Sequence, residues 1–475
     1  MSNLSELLPT GGGQNAVDFV ASGTLSSGQT VALKADGTVE AVAGNAEGVG
    51  TPVEFSSNFP VWSSGVFDSS SNKIVLAYYE GATTLSSSVV VGTVSGTSIS
   101  FGTPVVFESG EAASISLVFD SNENKVVIVY TDVNNSRYGT ARVGTVSGTS
   151  ISLGSSVIFE SATSYYTSAA FDSNSNKIVI AYRDNGNSSY GTAIVGTVSG
   201  TSISFGSPVI FESSAAYYES CSFDSTSNKI VIAYATLTPE NGRAVVGTVS
   251  GSTISFGTPV TFNSAFIQLP SASFNAAQNK TVIAYKDFGN SSYSTAIVGT
   301  VSGTSISFGS PVVFESVSSQ SISSAYASNI QKTIIGYTGT STNGKAILGT
   351  ISGTSISFDT ATVLSTFGQY VSTTFDSANN KTVFAYKNNA SIGFSVVYAT
   401  ASTNNTSFIG ITAEAISDTA TGAVNVYGGI NEAQTGLTIG SDYYVQNDGS
   451  ISTTSSAVKI GQAISATTIN MMDLT

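Results

Sequence analysis

The sequence predicts an all-β chain: a seven-bladed β-propeller with four-stranded blades, inserted in a small pseudo-symmetric β-barrel or sandwich domain. Three observations carry this reading. A unit of about 50 residues recurs seven times. Each unit reads as four short strands parted by turns, with no helical periodicity. The strand missing from the last unit stands ahead of the first, so the two ends can meet and leave no exposed edge.

The repeat is clearest from Phe171 to Ser213, FDSNSNKIVIAYRDNGNSSYGTAIVGTVSGTSISFGSPVIFES. Its lysine, in N-K-[IVT]-[IV]-x-x-Y or a close variant, falls at Lys73, Lys125, Lys177, Lys229, Lys280, Lys332 and Lys381, in steps of 52, 52, 52, 51, 52 and 49. The four strands expected in this unit are Ser168–Phe171, Lys177–Tyr182, Thr192–Val198 and Ser202–Phe211. The links Asp-Ser-x-x-Asn and Ser-Gly-Thr are turn chemistry, because these residues bond to local backbone or accept positive φ. Four antiparallel strands per unit fit a propeller; a β-solenoid is the rival, with shorter coils and open ends. The seventh unit stops after its third strand, and Gly50–Phe55 (GTPVEF) matches Gly102–Phe107 (GTPVVF). Segment 50–55 is therefore expected to complete the last blade.

The flanks change character but stay β-like. Leu25–Val39 aligns without gaps to Leu437–Ile451, each with Leu-x-x-Gly before a strand and Asp-Gly at a hairpin turn. Ile409–Ser417 and Ile460–Ser465 form a second matching pair. The expected organisation is a flexible arm at 1–15, a split β domain at 16–45 plus 406–475, and the propeller at 46–405. The arm is either a peptide that orders on a partner or a plain tail.

Composition narrows the chemistry. The 475 residues carry 16 Lys+Arg against 30 Asp+Glu, one Cys and no His. Imidazole-based triads and metal sites are excluded, as are intrachain disulfides and zinc–thiolate clusters. A net charge of −14 is a poor match for a phosphate backbone, so no nucleic-acid partner is expected. The opening MSNLSELLPTGGG lacks the basic and apolar parts of a secretory signal. No stretch approaches ~18 apolar residues, so no membrane insertion is expected.

The opening LSELLPTGGG, the Leu25–Val39 segment and the tail (FIGITAEAIS, GLTIGSDYYVQNDGSIST, KIGQAISATTI) resemble virion structural proteins of tailed bacteriophages, of the fibre, appendage or decoration type. The resemblance covers about 110 residues. It implies residence in the virion, contact with other virion proteins, many copies or a homo-oligomer on the particle, and a propeller that presents a binding face. It transfers no catalytic residue. The expected function is host attachment through a surface carbohydrate or receptor. The alternative is a purely structural decoration or tail protein.

The repeats place the candidate site. Links from strand one to two and from three to four are nearly uniform, whereas the other links vary, as expected of display loops on a rigid scaffold. The varying links are rich in aromatics: Phe59 and Trp62, Tyr165 and Tyr166, Tyr217 and Tyr218, Phe266, Phe367 and Tyr370. Tyr138, Tyr190, Phe288 and Tyr293 join them. Such rings either stack on sugar faces or pack between blades. Three units share Asp-x-x-Asn-Ser-x-Tyr, at Asp132–Tyr138, Asp184–Tyr190 and Asp287–Tyr293. Asp132, Asp184 and Asp287 supply a sugar contact, a weak Ca²⁺ ligand or an Asx turn. The ligand-binding candidates are thus Tyr165, Tyr166, Tyr217, Tyr218, Tyr138, Tyr190, Tyr293, Asp132, Asp184, Asp287, Phe266 and Tyr370. No cofactor or metal is expected. A glycan hydrolase is the lesser alternative: it needs paired carboxylates ~5–9.5 Å apart, which a sequence does not display. Sialidase-type propellers would add an arginine cluster, but the arginines are only Arg137, Arg142, Arg183 and Arg243 and no S-x-D-x-G-x-T-W box occurs, so no enzymatic activity is expected.

Overall fold

A computed structural model describes residues 15–45, 47–81, 85–400, 402–456 and 458–472. Strands dominate it, and helix among the described residues is limited to short 3₁₀ turns such as Asn185–Asn187. The chain divides into two compact units. One is Val49–Ala399; the other takes both chain ends, Met1–Gly48 and Thr400–Thr475. Residues 1–14 of the expected arm, and the side chain of Trp62, lie outside what the structure describes.

Within Val49–Ala399 the same hairpin series recurs. In the third repeat the inner strand ends at Asp172, pairs with Lys177–Asp184, which pairs with Tyr190–Ser199, which pairs with Ser202–Phe205. The turn after Asp172 is held by its carboxylate, which accepts the N–H groups of Asn174 and Ser175. Asn176 closes that turn at φ 54°, a conformation Asn tolerates better than most residues. Gly200 does the same for the Ser-Gly-Thr turn at φ 62°.

Two strand boundaries differ from the sequence reading. The expected fourth strand, Ser202–Phe211, breaks after Phe205, and pairing with Tyr190–Ser199 resumes at Val209. The break falls at Gly206-Ser207-Pro208, where proline has no N–H to give. A Cβ on Gly206 would stand 1.8 Å from the Ser252 carbonyl oxygen of the next unit, so only glycine fits that approach. The expected first strand, Ser168–Phe171, starts earlier: Ser164 already pairs with Asp184. In two places the outer segment runs into the next inner strand without a loop, giving Val157–Asp172 and Val209–Asp224. Three repeats are therefore joined in one thirteen-stranded sheet, whereas the others form separate five-stranded sheets.

The middle strands explain the unbroken apolar runs. Ile178, Val179, Ile180, Ala181 and Tyr182 are all fully buried. Ile178, Ile180 and Tyr182 pack on Val127 and Val129 of the preceding repeat. Val179 and Ala181 pack on Ile230, Ile232 and Tyr234 of the following one. Period-two alternation thus feeds two neighbouring sheets rather than one core and solvent.

Serines lace the inner strands together. Ser64 Oγ accepts the Leu117 N–H, Ser116 that of Ala169, and Ser168 that of Cys221, each at 3.0 Å. Ser220 accepts from Ala272, Ser271 from Ser324 and Ser323 from Thr373. The last inner strand, Gln369–Asp376, returns to the first, Pro60–Asp68, where Ser63 Oγ donates to the Tyr370 carbonyl at 2.8 Å. Val53–Ser56 pairs with Gly393–Ala399, with Val53 opposite Ser395 and Glu54 opposite Phe394.

The other unit contains two five-stranded sheets. The first interleaves both chain ends in the order Ala16–Val20, Thr421–Val426, Phe408–Thr412, Thr30–Leu33, Val39–Ala41. The second is built from Ile430–Asn431, Ile469–Asn470, Lys459–Ala463, Asp442–Val445 and Ile451–Ser452. The two aligned segments form equivalent turns. Asp36 caps Thr38 at 3.0 Å and Asp448 caps Ser450 at 2.9 Å, each ahead of a glycine at positive φ.

Candidate functional site

The inner strands of Val49–Ala399 share a defect. Their pairing register shifts between Val61 and Ser64, Ala113 and Ser116, Tyr165 and Ser168, Tyr217 and Ser220, Gln268 and Ser271, and Gln369 and Ser372. Two residues bulge out at each point. The first of the pair is left-handed at Ser114, Tyr166, Tyr218, Leu269 and Tyr370, with φ between 49° and 59°. A left-handed non-glycine residue is unfavourable by roughly 1–2 kcal/mol. Five at one structural level mark a feature that re-aims side chains, as bulges do.

These bulges surround a cavity of about 500 Å³. It is lined by Ser63, Ser114, Ile115, Tyr166, Thr167, Tyr218, Glu219, Leu269, Pro270, Gln320, Ser321, Ile322, Tyr370 and Val371, at least one from every repeat. The column that holds the second bulge residue reads Ser63, Ile115, Thr167, Glu219, Pro270, Ile322 and Val371, Ile322 alone pairing in register, opposite Tyr337. Six are neutral; the fourth is an acid.

Glu219 is 7% exposed, and neither carboxyl oxygen has a hydrogen-bond partner. Burial pushes its carboxyl up to about 8, against smaller opposing effects from its own backbone and Arg183. The group is therefore largely protonated at pH 7. Burial, then Tyr218, pushes the Tyr166 hydroxyl up to about 12. Burial does the same to the Cys221 thiol, also to about 12.

The aromatic candidates form a run rather than isolated loop tips. Ring centroids are 6.1 Å apart for Tyr165–Tyr166, 4.7 Å for Tyr166–Tyr218, 6.4 Å for Tyr218–Phe266 and 5.5 Å for Phe266–Phe288. Arg183 lies over Tyr217 at 4.3 Å and over Tyr165 at 5.8 Å, and its Nη2 donates to Ser189 Oγ. Lys387 lies over Phe59 at 4.1 Å and over Tyr370 at 5.4 Å.

Tyr166, Tyr218 and Tyr370 line the cavity, on strand bulges rather than on the loops expected for them. Tyr165, Tyr217 and Phe266 adjoin that lining through ring contacts. Tyr138, Tyr190 and Tyr293 open the third strands of their repeats and are half-buried. Asp132, Asp184 and Asp287 are buried and accept turn N–H groups from Asn135, Asn187 and Gly289 at 3.1, 3.1 and 2.9 Å. None of these last six lines the cavity. No group of three acids, cysteines or histidines that could hold a metal ion occurs among the described residues.

Sequence reasoning missed Glu219 and the bulges. The signal for Glu219 was present: aligning the repeats sets one acid in a column of Ser, Ile, Thr, Pro, Ile and Val. The bulges left no uniform trace, because their left-handed positions are tyrosine in three repeats and serine or leucine in two others.

No protein-family model matches the chain, and no curated protein matches it. Solved structures do. The BP39L lectin from Burkholderia pseudomallei superposes with a TM-score of 0.57 at 9% identity, covering 73% of this chain and 98% of the lectin. The intramolecular trans-sialidase of leech gives 0.44 at 8% identity, covering 72% of this chain and 68% of that one. The intramolecular trans-sialidase of Ruminococcus gnavus gives 0.44 at 10% identity, covering 72% and 95%. At such identities the likeness to the lectin is one of all-β fold.

Proposed function

We propose that Val49–Ala399 is a closed seven-bladed β-propeller, and that the mouth of its central channel binds carbohydrate. The observation that carries this is the cavity lined at one level by residues of all seven repeats, six of them bulged there, and walled by Tyr166, Tyr218 and Tyr370. Its volume suits one or two sugar rings, within the ~300–1,000 Å³ usual for ligand sites. Tyrosine faces meet the C–H face of a sugar. Serine hydroxyls and the Gln320 amide meet its hydroxyls. The lectin likeness of the fold is consistent with this reading.

Binding is favoured over hydrolysis by the lining itself. Among the described residues Glu219 is its only carboxyl, and no arginine belongs to it. Hydrolysis by paired carboxyl groups would need a second acid ~5–9.5 Å away.

The split β unit is proposed to carry the propeller as an insertion in one of its loops. Insertion requires the inserted ends to lie close, and Val53–Ser56 pairs with Gly393–Ala399. On the resemblance of the flanks, this unit is proposed to seat many copies on a bacteriophage particle, where avidity would multiply weak sugar contacts. Purified particles probed with an antibody to the chain would test that placement.

The carbohydrate reading is tested with the full-length chain, displayed on beads, on a glycan array. Binding to a defined glycan set is expected, falling tenfold or more for Tyr166→Ala and Tyr218→Ala with the fold unchanged. Binding to no glycan, or binding that both variants leave intact, would refute it.

A further inference from the structure

Glu219 breaks the pattern of its own scaffold. The six equivalent positions are neutral, so the fold does not require an acid there. An ionisable group nine-tenths buried, with both oxygens unpartnered, is unfavourable unless something completes it. The groups facing it do not. Arg183, from Lys177–Asp184, is held over the Tyr217 ring and by Ser189. Tyr166 comes from Val157–Asp172 and Tyr234 from Lys229–Leu237, and the Tyr234 hydroxyl donates to Glu212. Cys221 and Tyr218 share its own strand.

Glu219 stands in the cavity wall with Tyr166 and Tyr218, whose ring centroids are 4.7 Å apart; its carboxyl oxygens are covered in the free chain, so a ligand meets them once the side chain turns into the cavity. A carboxylate flanked by π faces is the chemistry that holds an ammonium group. The chain's net charge of −14 draws cations toward it. A cavity of about 500 Å³ is far larger than an alkylammonium, and serine hydroxyls and an amide ring the rest of it.

Resting on the carbohydrate reading, we infer that this cavity selects an amino sugar, with the protonated ring amine seated on the Glu219 carboxylate. Since the free carboxyl is pushed up to about 8, it is protonated when the ligand arrives below that pH. Binding then expels one proton from Glu219 to solvent, while the amine keeps its own. Affinity accordingly rises with pH, by up to tenfold per pH unit between about pH 5 and 7.

The test is isothermal titration calorimetry of the full chain with a glucosamine oligomer, its N-acetylated counterpart and methylamine. Each is titrated at pH 5.5 and 7 in two buffers of different ionisation enthalpy. The glucosamine oligomer is expected to bind at least tenfold tighter than the N-acetylated one, and to release close to one proton at pH 7. Glu219→Gln is expected to abolish both the preference and the proton release. The wild-type proton count stands whether or not that variant folds. Equal affinity for the two oligomers, or no proton release, overturns this inference and leaves the carbohydrate reading intact. Methylamine binding as tightly as the glucosamine oligomer overturns the assignment to a sugar. Failure of every glycan, on the array as well as in the calorimeter, removes the carbohydrate reading itself.

Discussion

Glu219→Gln isolates the energetic consequence of burying one carboxyl without a partner. In the fold this group is pushed up to about 8, whereas its ordinary value is 4.5. The folded chain therefore holds a proton that the unfolded chain releases between those two pH values. Stability is unaffected by the group below pH 4.5 and falls as pH rises to 8. At ~1.36 kcal/mol per pH unit, the full difference is about 5 kcal/mol. Glutamine copies the neutral acid in size and cannot ionise. Wild type and variant should therefore melt together at pH 4 and diverge steadily to pH 8.5, with the variant the more stable. For a unit of about 350 residues, unfolding entropy of ~2.1 cal/mol/K per residue converts that into a gap of roughly 7 °C. Scanning calorimetry of both proteins in half-unit pH steps measures it. A gap that does not change with pH would show that Glu219 ionises freely in the fold, and the buried, unpartnered carboxyl would be refuted.

Two further substitutions test the scaffold. Ser116→Ala and Ser168→Ala each strand an N–H of the next inner strand, at Ala169 and Cys221. Each should lower stability by about 1 kcal/mol in urea unfolding; losses under ~0.5 kcal/mol would make these serines ordinary surface hydroxyls. Asn263 stands where four other repeats place Glu108, Glu160, Glu212 and Glu315, each accepting a buried tyrosine hydroxyl. The matching hydroxyl, on Tyr285, is buried without a partner. Tyr285→Phe removes that unpartnered hydroxyl, whereas Tyr182→Phe takes a donor from Glu160; the first should leave thermal stability unchanged or raised and the second lower it by about 1 kcal/mol. Equal losses for the two would refute the difference between these repeats.

The turns and the strands were legible because their causes are local. The Asp172 carboxylate, the left-handed Asn176 and Gly200 act within a few residues of themselves, so each leaves its own residue type in the sequence. The apolar middle strands were legible for a similar reason, since every position between two sheets must be apolar. The bulges were not. Ser114, Tyr166, Tyr218, Leu269 and Tyr370 share a conformation but no single residue type, and the three tyrosines are not residues that favour positive φ. What bends them is the neighbouring inner strand, through bonds such as Ser114 Oγ accepting the Tyr166 N–H at 3.1 Å, 52 residues away. The same cause misplaced Tyr166 and Tyr218: a variable, aromatic segment reads as a loop, yet here it lies inside strands of 16 residues.

That misreading points to how a repeat chain separates structure from recognition. A position that meets its equivalent in the next repeat must suit two neighbours at once, so its residue recurs. Ser64, Ser116, Ser168, Ser220 and Ser271 obey this, and so do the buried tyrosines from Tyr78 to Tyr337. A position of the second bulge column faces the cavity and is released from much of that constraint. Its column diverges, as Ile115, Thr167, Glu219 and Pro270 do. Divergence alone marks freedom, and loops diverge too. Divergence at a buried position toward an unfavourable residue marks something more, because the fold gains nothing from it. Glu219 meets that condition: its carboxyl is buried with no hydrogen-bond partner where the other repeats place neutral side chains. The ligand inferred for it would supply the partner that the folded chain alone does not.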